Sequence, residues 1–562
     1  MLGVSFSRAS TAMPTGPMPR VSFNLCQAVI DTLTSKIAKN EVTPTFITSG
    51  GIWGMQRKAE NLSKFVSGCF YENQAHMKIV EAFNDAATWG DGFDHVYRTP
   101  DQRVGLERAV PHELFVDPIE TLNGMARQLH RVKIVDRELL LWMFEDDKEA
   151  QAKIKDAMPA NAQEVGGMNT AADLVKVTES WRLRSSKNAG DGLRVMCIED
   201  ELLLKDEYKR DYFPFPHLRY AKRKFGYWGI GACERLEKLQ LGINREMILI
   251  DRSHYMGGSF KVLVENGSKV VSQHLNNDVG TIIHYSGTKP EYVTPPTVQP
   301  DKYTYVDSLI DKGFRQEGVS QLQASSLVPL GIKSGAALRD YDQISDDRQL
   351  YVAKAVEAFA LEIASQMIEE VRDIAEEKKG YKVTWPGTSF LETIDWKDVN
   401  LERDEYILKA FPTSSLPEEP SARLETVQEY MQAGVISPRA GRRLLRQPDL
   451  EMSDNLANAA ENLIMKAIED ILYDKKKSRP DDKWDLVLAK QIALEYWNYA
   501  ILNNCPRDRI RMLENFMAII DDELKLTAAA SPGPAPTTAP PLANPQPTPQ
   551  SNMVPNVNTG AA

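Results

Sequence analysis

At 562 residues, with 42% hydrophobic and 26% charged residues, the chain has the composition of an ordinary globular protein with room for more than one core. No run nears the roughly 18 uninterrupted apolar residues of a membrane span, and Met1 to Pro19 lacks the apolar core of a secretory signal, so cytoplasmic synthesis and no membrane partner are expected. A net charge of −11, with Lys475-Lys476-Lys477 and Arg442-Arg443 as the densest basic clusters, argues against a fixed grip on nucleic acid, whose affinity comes from neutralised phosphates; a protein that surrounds a duplex and lets it slide stays open.

Residues 1–19 read as a flexible arm. Val21, Leu25, Val29, Leu33 and Ile37 form a helical stripe, and Pro44 reads as a break. Ala59–Tyr71 and His76–Trp89 are two more amphipathic helices, followed by a turn at Gly90-Asp91-Gly92. Short strands are expected at His95–Arg98, Arg103–Ala109 and Leu114–Pro118, a charged helix from Ile134 to about Ala157, and a hairpin from Asp173–Arg184 and Leu193–Glu199. Residues 20–224 thus read as a mixed α+β domain.

From Phe225 to Glu377 the pattern is helix, small β insert, helix, loop, long helix. Leu236, Leu239, Ile243, Met247 and Ile250 mark one helical face, ended by Gly257-Gly258. Ser259–Val264, Val279–Tyr285 and Glu291–Thr294 are short β candidates, with Asn266-Gly267 as a hairpin turn. Asp301–Glu317 resumes as helix with Tyr305, Leu309, Ile310 and Phe314 on one side. Gly318–Gly335 reads as a long polar loop, and Leu338–Glu377 as a helix roughly 55–60 Å long. Strand-like pieces at Tyr381–Trp385 and Glu405–Leu408 suit a return to the first sheet. Helices then fit Ser421–Met431, Ser437–Leu445, Asn455–Tyr473, Trp484–Leu502 and Asp508–Leu524. Residues 528–562 carry no charge and many prolines, and are expected to be disordered.

Five cysteines without CxxC spacing suggest neither a disulfide framework nor a zinc site; they read as buried or neutral thiols. No phosphate loop and no HExxH pattern occurs, so no catalytic residue, metal or cofactor is expected. Asp346-Asp347 and Asp521-Asp522 suit a nuclease-type divalent ion or, more simply, solvated helix faces; Cys69 with His76 nearby is a weak nucleophile pattern.

Five stretches, in order, resemble the portal (head–tail connector) proteins of podovirus-type bacteriophages: RVSFNLCQAVIDTLTSKI with PTFITSGG; AFNDAATWGDGFDHVYR with LERAVPHELFVDPIE; FPFPHLRYAKRKFGYWGIGACERLEKLQLGIN; SQLQASSLVPLGIKSGAALRDYDQISDDRQL; and MQAGVISPRAGRRLLRQPDLE. The resemblance covers about residues 20–525. It implies an α+β, predominantly helical, ring-forming portal fold. In it 20–224 is a wing, 225–257 and 300–316 are two stem helices, 258–299 is a clip and 317–337 a channel loop. Residues 338–380 would be a long wing helix, 381–420 strands returning to the wing, and 421–527 a helical crown region. It further implies a homododecamer at the unique portal vertex of the virion, through which double-stranded DNA is packaged and ejected. The expected partners are the terminase large subunit, the head–tail adaptor, the major capsid protein and the scaffold protein. A non-conducting virion scaffold, or more remotely a metal-dependent nuclease, is the alternative.

Periodicity alone fits a core helical hairpin as well as a stem, and Arg235, Glu237, Lys238, Asn244, Arg245, Asp251 and Arg252 lie off its apolar face. In the loop, Gln321, Gln323, Ser325, Ser326 and Lys333 are the candidates for touching passing DNA, since a long loop with one charge can hydrogen-bond a backbone without holding it. Tyr285, Tyr292 and Val293 of the clip are the candidates for docking adaptor and motor. Replacing residues 318–335 with a Gly/Ser linker is expected to impair DNA filling and retention in a packaging assay; unchanged filling would remove the loop's assigned role.

Overall fold

The computed structural model describes residues 22–39, 42–48, 53–160, 172–257, 261–267, 285–289, 291–293, 300–319, 350–378, 380–386, 391–399, 406–412, 420–436, 441, 459–481 and 483–530. The described elements form a mixed α+β set with more helix than strand. The chain divides into two compact units, Met1–Ile436 and Ser437–Ala562, so residues 421–436, expected in the C-terminal helical region, belong to the first unit.

Helix α1 (Leu25–Ala38) starts where the Asn24 side chain accepts from the Gln27 backbone N–H, the usual way to satisfy an orphan donor. Its buried stripe includes Leu25, Val29 and Leu33, as the spacing predicts. Pro44 is a correction: it lies inside strand β1 (Val42–Thr48), opposite Ala410. The sheet concerned has two strands, so a missing N–H is tolerable at its open side. Helices α2 (Trp53–Glu72) and α3 (Ala75–Trp89) follow.

The expected turn at Gly90-Asp91-Gly92 is also corrected. Gly90 alone, at φ +107°, ends α3, and Asp91 already opens strand β2 (Asp91–Arg98). Gly92 serves close packing: a Cβ there would stand 1.9 Å from the Ala82 carbonyl oxygen of α3. Strand β2 lies between β3 (Val104–Ala109) and, far along the chain, β9 (His217–Arg219).

A second sheet runs in sequence order through β4 (Leu114–Phe115), β5 (Gln128–Asp136), β6 (Leu174–Arg182), β7 (Leu193–Ile198) and β8 (Glu201–Glu207), all antiparallel. The hairpin expected at 173–199 is its β6–β7 pair. The helix expected from Ile134 is corrected, because Ile134 to Asp136 finish β5 opposite Lys176 to Leu174. Asp136 then caps α4 (Arg137–Met143), and Asp147 caps α5 (Lys148–Asp156).

A buried network joins the two sheets. Arg131 of β5, 2% exposed, reaches Glu107 of β3 at 2.6 Å and Glu113 at 3.0 Å, and Lys133 meets Glu107 at 2.8 Å. Burial alone would raise the Glu107 carboxyl; the hydrogen bond from His95 and the Arg131 charge overcome it and hold the group well below the usual carboxylate range.

The main core gathers α1, α2 and α3 with α6 (Ala232–Gly257), α7 (Asp301–Glu317) and α8 (Leu350–Lys378), through residues such as Leu25, Phe65, Phe83, Leu236, Phe359 and Ile363. Between α6 and α7 a short antiparallel pair is formed by β10 (Lys261–Leu263) and β11 (Glu291–Val293). After α8, β12 (Lys382–Pro386) pairs with β13 (Leu391–Asp395), and β14 (Tyr406–Pro412) returns to β1. Helix α9 (Pro420–Gln432) closes the unit.

The second unit contains α10 (Ala459–Asp474), α11 (Leu486–Leu502) and α12 (Arg507–Ala530), packed through buried residues that include Ile468, Ala489 and Phe516. Helix α12 takes in residues 528–530, the first of the expected disordered tail; 531–562 and most of the helix expected at Ser437–Leu445 lie outside the described residues. Among the described residues no helix is long and apolar enough to cross a membrane.

Asp94, on β2, is fully buried, and among the described residues neither carboxyl oxygen has a hydrogen-bond partner. Burial pushes its pKa up to about 8, although the Lys78 charge opposes this. A buried acid of this kind folds as the neutral form. Its favourable contribution is complete below the ordinary carboxyl range and is lost as pH rises through about 8, at up to about 1.4 kcal/mol per pH unit. Asp94→Asn is therefore expected to gain in melting temperature over the native chain between pH 4 and 8 and to level off above that; a difference independent of pH would contradict a protonated Asp94.

Candidate functional site

The site with the most structural investment is the pair α6 and α7, its root on the first unit and the insert between the two helices. The root begins with glycines. A Cβ on Gly229 would sit 2.3 Å from the Gly90 carbonyl oxygen, and one on Gly231 would sit 2.9 Å from Gly90 N, Ala87 O and Thr88 O. The start of α6 can thus lie directly against the end of α3. Both oxygens of the Asp91 carboxylate accept from Gly229 N, at 2.9 and 2.8 Å, and one also faces His217 Nε2 at 2.7 Å.

Burial pushes the His217 pKa down to about 4, against the opposing pull of Asp91, so the imidazole is neutral at pH 7. A carboxylate only accepts, so Nε2 carries the proton and donates. The contact is a hydrogen bond from a neutral ring. Phe93 stacks on His217 with centroids 4.2 Å apart, and Tyr227 tilts against it at 4.8 Å.

Along the pair, Leu236, Ile243 and Ile250 of α6 are buried, as are Val306, Leu309 and Phe314 of α7. Tyr305, expected on the apolar side of α7, is instead 50% exposed, and Val306 takes that place. Gln240 sits on the buried face: its Oε1 accepts from Leu25 N at 2.8 Å and its Nε2 donates to Phe23 O at 2.6 Å, which ties α6 to the start of α1.

Polar contacts close both ends. At the root, Tyr220 donates to Glu317 Oε2 at 2.8 Å, with Arg235 at 3.4 Å, and Gln316 donates to the Arg235 carbonyl at 2.9 Å. Glu317 is the last residue of α7, as the helical pattern of Asp301–Glu317 predicts, although the resemblance sets it first in the channel loop, and both it and Val319 are buried. At the other end His254 and Tyr303 share a hydrogen bond. The outward faces carry both signs, with Glu234, Glu237, Lys238 and Arg245 on α6 and Asp307, Lys312 and Arg315 on α7 all exposed.

In the insert, Lys261 pairs with Val293, Val262 with Tyr292 and Leu263 with Glu291. The first β candidate therefore meets the third. A turn with Gly267 at φ +95° follows β10; the neighbouring strand expected across a hairpin there, Val279 to His284, falls outside the described residues. Tyr285 lies outside the described strands and is 53% exposed; Leu263 is 57% exposed and Val264 40%. Tyr292 and Val293 are placed by backbone pairing alone. Gln321, Gln323, Ser325, Ser326, Lys333 and the first turns expected of the long helix, Leu338 to Gln349, all lie outside the described residues.

Of the residues weighed for catalysis, the described aspartates are held by lysines. Asp521 pairs with Lys490 at 2.7 Å and Asp522 with Lys525 at 3.3 Å. Asp346 and Asp347 lie outside the described residues. Burial raises the Cys69 thiol far above its usual range, the reverse of activation. Among the described residues no group of three or more His, Cys, Asp or Glu could hold a metal ion.

Asp91, His217, Gln240 and Glu317 were not singled out by sequence reasoning. The available signal was glycine, since Gly90-Asp91-Gly92 and Gly226–Gly231 are two Gly-rich stretches able to approach backbone to backbone. No protein-family model matches the chain, and no curated protein sequence matches it.

Two alanine substitutions separate the root from the pair. Gly229→Ala is expected to destabilise the first unit by about 1–3 kcal/mol through overpacking. Gly242→Ala, whose Cβ would meet only Leu309 Cδ1 at an ordinary 3.7 Å, should stabilise it by about 0.5–1 kcal/mol through helix propensity. Denaturant unfolding of both variants checks the contrast.

Proposed function

We propose that the chain is a subunit of a bacteriophage portal ring, a passive conduit for double-stranded DNA and a docking hub at the vertex between head and tail. The observation that carries this reading is the antiparallel pair α6–α7. It is rooted by Asp91 on a mixed α+β unit, joined through a two-stranded insert and followed by α8, the order in which the sequence resemblance sets stem, clip, stem and long wing helix.

The mixed charge of the outward helix faces supports conduction over gripping. A wall rich in Lys and Arg would neutralise phosphates and hold the duplex by counterion release, whereas alternating signs leave no net attraction to overcome at each step. On this reading Gln321, Gln323, Ser325, Ser326 and Lys333 belong to the channel loop, and Tyr285, Tyr292 and Val293 to the surface that meets the head–tail adaptor and the terminase large subunit. That motor supplies the ATP-driven force, and the ring itself catalyses nothing and needs no cofactor. The major capsid protein and scaffold protein surround it during head assembly.

The insert supports self-association. The three residue pairs described between β10 and β11 are too few to be stable alone, and strand edges invite pairing with another chain. Identical subunits in a closed ring offer that partner at every insert; the homododecamer itself rests on the resemblance.

Electron micrographs of the purified full chain are expected to show rings with an axial hole. A homogeneous compact monomer at high concentration would overturn the reading, and metal-dependent DNA cleavage by that monomer would point to a nuclease.

A further inference from the structure

The root of α6 contains a thiol pair that the portal reading does not use. Cys26, in the first turn of α1, and Cys233, in the first turn of α6, line one cavity of about 250 Å³ together with Thr88, Trp89, Glu237 and Gln240. Their helices are held face to face independently of the sulfurs. Gln240, two turns beyond Cys233 on the same side of α6, accepts from Leu25 N at 2.8 Å and from Cys26 N at 3.4 Å. Within that clamp both cysteines line the same cavity. Both cysteines are free thiols, Cys26 buried and Cys233 half-buried.

We infer that Cys26 and Cys233 form a peroxide-responsive modification site, which closes to a disulfide tying α1 to the root of the α6–α7 pair. The chemistry follows from the asymmetry of the two sulfurs. The neighbouring Cys233 thiol and the Cys26 backbone N–H lower the Cys26 pKa against burial and the Glu317 charge, while the Cys26 thiol and burial raise Cys233. Cys26 is thus the first of the two to ionise, and thiolates react first. Its sulfur attacks one peroxide oxygen, the O–O bond breaks, and hydroxide leaves as water after taking a proton. The resulting Cys26 sulfenic acid is then attacked by the Cys233 sulfur, which gives up its proton as the S–O bond breaks and a second water leaves. Two thiols lose two electrons in all, and one peroxide becomes two waters. A cavity of this size admits hydrogen peroxide.

The remaining cysteines provide internal controls. Cys69 and Cys505 are buried and Cys197 is half-buried, and burial raises the pKa of all three, which leaves each of them less thiolate. The inference does not depend on ring formation, because both sulfurs belong to one chain.

The test treats the full chain with hydrogen peroxide, alkylates remaining thiols and maps peptides by mass spectrometry without reduction. The expected product joins the Cys26 and Cys233 peptides, two hydrogens lighter than the reduced pair. It should be reversed by dithiothreitol and accompanied by a melting-temperature rise on the order of 5 °C. In Cys233→Ala the resolving thiol is gone, so Cys26 should stop at the sulfenic acid and take up dimedone. The inference is overturned if both thiols stay alkylatable, if Cys26 proceeds to sulfinic acid in the native chain, if cross-links fall on Cys69, Cys197 or Cys505, or if Cys26 of the Ala variant takes no dimedone.

Discussion

The Asp91 carboxylate is the constraint on which the first unit turns. It is 2% exposed, and a carboxylate removed from water must have its oxygens hydrogen-bonded, at a cost of several kcal/mol otherwise. Its donors come from Gly229 and from His217, 138 and 126 residues away in sequence. Among the described residues no lysine or arginine pairs with Asp91, and burial holds His217 neutral. Satisfying one acid therefore fixes three segments at once: the end of α3, strand β9 and the start of α6. The glycines at 90, 229 and 231 follow from that demand, since the donors arrive only if backbones touch.

Beyond the root, the α6–α7 pair is held by two kinds of interaction with different roles. Burial of its apolar stripe contributes about 1.5–3 kcal/mol for each large side chain but is indifferent to small slides of one helix along the other. The polar contacts set the register. Glu317 accepts from Tyr220 and faces Arg235 at one end, and His254 meets Tyr303 at the other. Burial raises the Glu317 carboxyl even though Tyr220 and Arg235 pull it down, which shows how little water reaches the root. Gln240 adds a third point, binding the N–H and C=O groups left open at the start of α1.

Most helices were legible because their apolar residues recur at three and four positions over several turns: α1, α3, α6, α8 and the helices of the second unit all follow that spacing. The strands were harder to read. Strand β9 has three residues, too few for alternation to register, and β8 opens on Glu201 followed by the unbroken run Leu202 to Leu204, which does not alternate. Strand β1 was hidden by Pro44, whose local meaning is a break and whose actual place is a two-stranded edge. The strand β5 ran into α4 without a breaker, since Asp136 is at once the last strand residue and the helix cap. Nothing local to Gly90-Asp91-Gly92 distinguishes a turn from a contact made across more than a hundred residues. The candidate site was legible as a helix–insert–helix pattern, whereas its root was not, because a buried acid finding a distant amide leaves no periodic trace.

The insert poses the converse problem. Its strands β10 and β11 exchange pairs over three positions only, while Leu263, Val264 and Tyr285 stand open to water. Apolar side chains on so small a sheet gain little from each other; where α6 and α7 carry it, His254 meets Tyr303 and Lys302 stands 3.8 Å from Glu246. The energy that orders such an element must come from surfaces that cover it. On the proposed reading a ring of identical chains supplies that cover at every insert, so that one end of the helix pair is fixed in the subunit and the other is completed by assembly.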